Sequence, residues 1–183
     1  MIWLTDAEGR TTYMCAEWYA FTGLEPPAAL GSGWVASIHA DERGLMEETF
    51  QQACAAPCEF TLQYRLRRRD ATYIWVSESA APAWLPNRGN FLGFIGQISS
   101  VEPQQLGLIA RAELQTFQVT TPIGEFAPIT ALDAMADHIL IARALAISSA
   151  ADHLLEQIDE LLISIGRDLA WQEAQGDTTG IIH

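Results

Sequence analysis

The chain has no lysine at all. Its ten cations are all arginine, and they face 23 acidic residues, for a formal net charge of −13 over 183 residues. A field this negative repels phosphate backbones and anionic lipid, so neither nucleic acid nor a membrane surface is expected as a partner. The one basic cluster, Arg65, Arg67, Arg68 and Arg69, reads as a solvated hairpin turn. No window approaches the run of about 20 apolar residues that spans a bilayer. The start, Met1-Ile2-Trp3-Leu4-Thr5-Asp6, lacks the basic region of a secretory signal, so the expected location is the cytoplasm. Cysteine is scarce: Cys15, Cys54 and Cys58 are odd in number and wrongly spaced for a zinc knuckle, and they read as small buried hydrophobes. No glycine-rich phosphate loop, nucleophile elbow or metal-spaced cluster occurs. Glu47-Glu48 and Asp159-Glu160 are adjacent on helices rather than convergent. No catalytic residue, metal or cofactor is therefore assigned, and the chain is not expected to be an enzyme.

What is present is hydrophobic alternation. Cys58–Arg67 places Cys58, Phe60, Leu62, Tyr64 and Leu66 on one face. Thr72–Ala83 sets Tyr73, Trp75, Ser77 and Ser79 against Ile74, Val76 and Glu78, with apolar groups on both faces. Asn90–Ser100 opposes Phe94, Gly96 and Ile98 to Ile95 and Gln97. Arg68-Arg69-Asp70-Ala71 and Leu85-Pro86-Asn87-Arg88-Gly89 join the three runs. Before them, Ile2–Thr5 and Thr11–Cys15 read as a hairpin turning at Gly9. Ala16–Thr22 and Glu25–Leu30 read as short helices stopped by Gly23 and Gly31. Glu42–Ala55, with Asp41 as its N-cap, reads as an amphipathic helix ended by Pro57. The order predicts an α+β fold: a five-stranded antiparallel sheet with helices on one face.

After Val101 the pattern becomes helical. Pro103 suits a first helical position, and Gln104–Phe117 reads as helix. Thr130-Ala131-Leu132-Asp133 and Ser149-Ala150-Ala151-Asp152 read as capping boxes, opening helices over about Ala131–Ile147 and Ala150–Gln172. The second carries Leu154, Ile158, Leu161, Ile165 and Leu169 at alternating spacings of four and three. That stripe is either a coiled-coil seam for a homodimer or the buried face of a helix packed on its own domain. The expected organisation is a domain over 1–101, a helical output or dimerisation region over 102–176, and a flexible tail over 177–183.

Several pieces in this order resemble a PAS domain across residues 2 to about 101. They are Trp3-Leu4-Thr5-Asp6 with Gly9, Ala16-Glu17-Trp18-Tyr19-Ala20-Phe21-Thr22-Gly23, Trp34, and Ile38-His39-Ala40-Asp41-Glu42-Arg43. Tyr64-Arg65-Leu66-Arg67-Arg68-Arg69-Asp70, Tyr73-Ile74-Trp75-Val76 and Gly93-Phe94-Ile95-Gly96 follow. The resemblance implies a sensory or interaction module that cups a small ligand, or only core side chains, between sheet and helices. The chain departs from the pattern at Cys15 or Ala16, where an Asn usually stands, at Ala71, where the turn usually has Gly, and at Ser100-Val101-Glu102, where Asp-Ile-Thr is usual.

The long helix lacks the His that haem-binding members use, and Cys15 lacks the flavin-adduct context. His39 reads as structural, and His138 and His153 as ordinary helix residues. Trp34, Ile38, Phe50, Phe60, Tyr64, Trp75 and Phe94 are the candidate pocket residues, suited to a small, mostly apolar ligand with one or two polar atoms. With no effector sequence following, the expected function is a stand-alone regulator in bacterial signal transduction. It would bind a small ligand, partner proteins or both, and act by contact on signalling proteins such as histidine kinases. The alternatives are a structural interaction domain with a filled core, or an enzyme using the same cup.

Overall fold

The computed structural model describes residues 1–85, 90–101, 109–119 and 124–176. Its first half follows the alternation closely. Strands β1 (Ile2–Thr5) and β2 (Thr11–Met14) form the opening hairpin. Helix α1 (Ala16–Thr22) ends where Gly23 takes a left-handed φ of 71° and its N–H returns to the Tyr19 carbonyl. Helix α2 (Pro26–Ala29), a 3₁₀ turn over Gly33–Ser37 and helix α3 (Arg43–Ala55) come next. Strands β3 (Phe60–Arg67), β4 (Tyr73–Trp84) and β5 (Phe91–Ser100) complete the antiparallel set.

A sixth strand follows. β6 (Arg111–Leu114) lies antiparallel on β3, pairing Phe60 with Leu114, and the sheet order is β2-β1-β5-β4-β3-β6. This corrects the helix expected over Gln104–Phe117. Ala, Arg, Glu and Leu favour a helix when isolated, but the free edge of β3 offers a row of unpaired backbone groups that captures them. The helical start expected at Pro103 lies outside the described residues, as do the 86–89 turn and the 177–183 tail.

Helices cover both faces of this sheet rather than one. Trp3, Phe60, Phe94 and Ile98 point toward α1 and α3, where Trp3 meets Phe50 at 6.4 Å between ring centroids. Their neighbours Ile2, Leu4, Ile95 and Gln97 point the other way. That outer face is covered by α4 (Ala131–Ser148) and α5 (Asp152–Gly176), a hairpin packed along its length. Leu162, Ile165 and Leu169 of α5 share one buried core with Ile2 and Leu4. Gly166 lets α5 approach closely, since a Cβ there would sit 3.2 Å from a Leu4 methyl.

The hairpin is held by polar links as well. Tyr13 donates to Asp133 at 2.7 Å, and the Gln97 amide to Asp137 at 2.5 Å. Buried Arg143 pairs with Asp159 at 2.6 Å and also with Glu59. At the first expected capping box the N-cap half forms, the Thr130 hydroxyl accepting from the Asp133 N–H, while the Asp133 carboxylate accepts from the Thr130 and Tyr13 hydroxyls. The second box does not form: the Ser149 hydroxyl turns back to the Leu145 carbonyl, Ala150 takes a φ of 53°, and α5 starts at Asp152. Asp41 is not the α3 cap. Glu42 holds the capping position, and its carboxylate instead accepts from the Arg65 N–H at 2.7 Å and pairs with the Arg65 guanidinium.

Candidate functional site

The cup lies between the inner sheet face and helices α1 and α3, and its own side chains nearly fill it. Phe50 and Phe60 meet at 5.9 Å, Phe50 and Phe94 at 6.0 Å, and Phe60 and Phe94 at 5.4 Å. Trp34 stacks edge-on against Phe50 at 5.7 Å. Trp3 can lie flat across the sheet because residue 96 is glycine: a Cβ there would fall 2.2 Å from the indole ring. What remains is a hollow of about 20 Å³, bounded by Trp3, Thr5, Trp34, Phe50, Tyr64 and Glu78 among others. One water molecule needs roughly 10–15 Å³ by such a measure.

The hollow is polar at one end. Glu78 is 5% exposed and accepts a 2.5 Å hydrogen bond from the Tyr64 hydroxyl. Burial pushes the Glu78 carboxyl up to about 7, against the opposing pull of the Tyr64 hydrogen bond. Burial, reinforced by Glu78, also raises Tyr64, so Tyr64 stays a neutral donor. The buried Trp3 indole N–H has no partner among the described residues. The arrangement can store a proton on Glu78 and seat a water-sized hydrogen-bonding guest. It holds no nucleophile paired with a base.

The expected pocket residues divide three ways. Trp34, Ile38, Phe50 and Tyr64 line the hollow. Phe60 and Phe94 form the aromatic plug beside it. Trp75 belongs to the other sheet face: it pairs with Arg65 across β3 and β4, whose guanidinium lies 5.6 Å from its ring centroid. Trp3, Met14 and Glu78 also line the hollow and were missed. The signal for Glu78 was available, because it shares the parity of Val76, an inward position in β4.

His39 does help seat the α3 entry, its Nδ1 accepting from the Asp41 N–H at 3.3 Å. On α5, Ile165 and Leu169 are buried in the chain's own core, Ile158 is half-buried, and Leu154 and Leu161 are exposed.

A family model for the PAS fold matches residues 11–98. Together with strands in the order 2-1-5-4-3 around a helix-capped cup, this match makes residues 11–98 a PAS domain. An uncharacterised protein of Sinorhizobium fredii, y4lL, is 34% identical over 96 residues, which cover 52% of this chain and 12% of that relative. The chain thus matches only a small part of that longer protein. Among solved structures, the PAS-B domain of Drosophila melanogaster Cycle with bound ethylene glycol is similar at 20% identity, with a TM-score of 0.44 over 55% of this chain and 98% of that one. The N-terminal domain of a diguanylate cyclase with a PAS/PAC sensor from Marinobacter aquaeolei is similar at 15% identity, with a TM-score of 0.48 over 54% and 92%. A PAS domain from Colwellia psychrerythraea gives 16% and 0.45 over 55% and 84%. Among the described residues no helix is long and apolar enough to cross a membrane.

Proposed function

We propose that this PAS module is a cytoplasmic regulator that acts by protein contact, on signalling proteins such as histidine kinases, and is not a catalyst. The observation that carries this reading is the filled cup. A hollow of about 20 Å³ has no room for the apolar ligand that the sequence suggested, nor for a substrate. The Glu78–Tyr64 pair faces that hollow and so meets nothing larger than water. Regulation then depends on which surfaces the domain presents. The α4–α5 hairpin covers the outer sheet face and sets one of them. If α5 also self-associates, its exposed Leu154 and Leu161 are the residues available for it.

Native mass spectrometry of freshly purified protein tests this. The expected result is the bare chain mass. A stoichiometric small-molecule adduct that survives purification and leaves on unfolding would overturn the filled-cup reading.

A further inference from the structure

A groove of about 900 Å³ runs between the end of β4 and the first half of α5. Its floor is apolar, built from Pro82, Trp84, Leu155 and Ile163. Its wall on the α5 side carries Asp152, Glu156 and Glu160, all exposed and spaced four apart, so they stand in one row along the helix. None of the three has an ion pair among the described residues. Among the described residues the cation that lines the groove is Arg143, and it is already neutralised by Asp159 and Glu59. An apolar trough beside a row of unpaired carboxylates is complementary to an apolar stripe flanked by cations.

We propose that this groove is a docking site for a basic amphipathic helix of a partner protein. The protein-contact reading underlies this inference, which gives that contact a place and a chemistry. Charge selects against a second copy of this chain, whose net charge is −13 and which contains no lysine. The backbone selects against an added strand. Beyond Ala80, β4 has lost its β3 partner, but the stretch left without one is four residues long, Ala81 in it is buried, and Pro82 has no N–H to offer. A helix asks for no backbone pairing. It lays three or four apolar side chains on the Trp84–Leu155–Ile163 floor and sets Arg or Lys four apart against Glu156 and Glu160.

The test is a calorimetric titration of the full chain with a 16-residue helical peptide patterned with Leu on one face and Arg along its flank. A scrambled peptide of equal composition is the control. The patterned peptide is expected to bind in the micromolar range and the scrambled one at least tenfold more weakly. Glu156→Arg with Glu160→Arg should weaken binding at least tenfold. Glu48→Arg with Asp168→Arg, an equal change of charge at exposed sites away from the groove, should leave it within about twofold. Leu155→Glu should match the first pair while unfolding at a temperature close to the parent's. No binding at 1 mM peptide, equal binding of the scrambled peptide, equal loss in both charge-reversed pairs, or peptide-independent dimerisation blocked by the Glu156/Glu160 pair would each overturn the proposal. A ligand adduct in the mass experiment would sink the filled-cup reading without touching these titrations, so the two failures are distinguishable.

Discussion

Raising the pH from 5 to 8.5 should cost this protein stability through one buried group. Glu78 ionises near its ordinary value of 4.5 in the unfolded chain and at about 7 in the folded one. Between those values the folded state holds a proton that the unfolded state has released. Its contribution is therefore intact below pH 4.5 and is lost as pH climbs through 7. At about 1.36 kcal/mol per unit, the full cost is about 3 kcal/mol, most of which falls between pH 5 and 8.5. Burial also raises Asp133 and Asp137, so the parent's profile mixes several carboxyls. Glu78→Gln isolates one of them. The amide keeps the shape, still accepts from the Tyr64 hydroxyl, and cannot ionise. Urea unfolding of both proteins across this range gives the difference directly. Glu78→Gln should gain about 2–3 kcal/mol on the parent between pH 5 and 8.5. A difference that stays flat within about 0.5 kcal/mol would show that Glu78 ionises as an exposed carboxyl does, and the sealed polar hollow would be refuted.

Three further outcomes follow from the packing. Gly96→Ala drives a methyl into the Trp3 ring and should destabilise by about 1–3 kcal/mol with a shifted tryptophan emission, whereas unchanged emission and stability would mean that Trp3 does not lie across β5. On α5, Ile165→Ala should cost about 2–4 kcal/mol in chemical denaturation and Leu161→Ala less than about 1, and the reverse order would mean that α5 is rotated on the sheet. Ala71 sits in the β3–β4 turn at a φ of 67°, a conformation in which glycine is at home, so Ala71→Gly should stabilise by about 0.5–1 kcal/mol in thermal unfolding, and a loss of stability would contradict the turn geometry.

Of the six described strands, β3, β4 and β5 were legible because they repeat every two residues over long runs, and the short β1 and β2 because they flank the turn at Gly9. The sixth was not. Arg111-Ala112-Glu113-Leu114 is short and made of helix formers, and its strand state is imposed by β3, some fifty residues earlier. The second covered face was half-legible: Thr72–Ala83 carries apolar groups on both sides, which hinted at a second layer without saying that α4 and α5 supply it. The same ambiguity misplaced Trp75, since a large aromatic on a two-sided strand carries no label for inside. Parity with Val76 could have found Glu78. The volume of the cup could not be read, because it depends on how Trp3, Phe50, Phe60 and Phe94 interlock, and composition alone gives the same aromatics to a filled core and to a ligand pocket. The leucine stripe of α5 carried its ambiguity openly, and the structure assigns Ile165 and Leu169 to the chain's own core while leaving Leu154 and Leu161 outside.

The filled cup is the claim on which the functional account depends, and a high-resolution crystal structure of the natively purified protein tests it most directly. The account predicts a single water peak between the Trp3 indole nitrogen and the Glu78 carboxyl, with Phe50 and Trp34 closed over it. Elongated density of several bonded atoms in that space, with Phe50 or Trp34 swung aside, would contradict it.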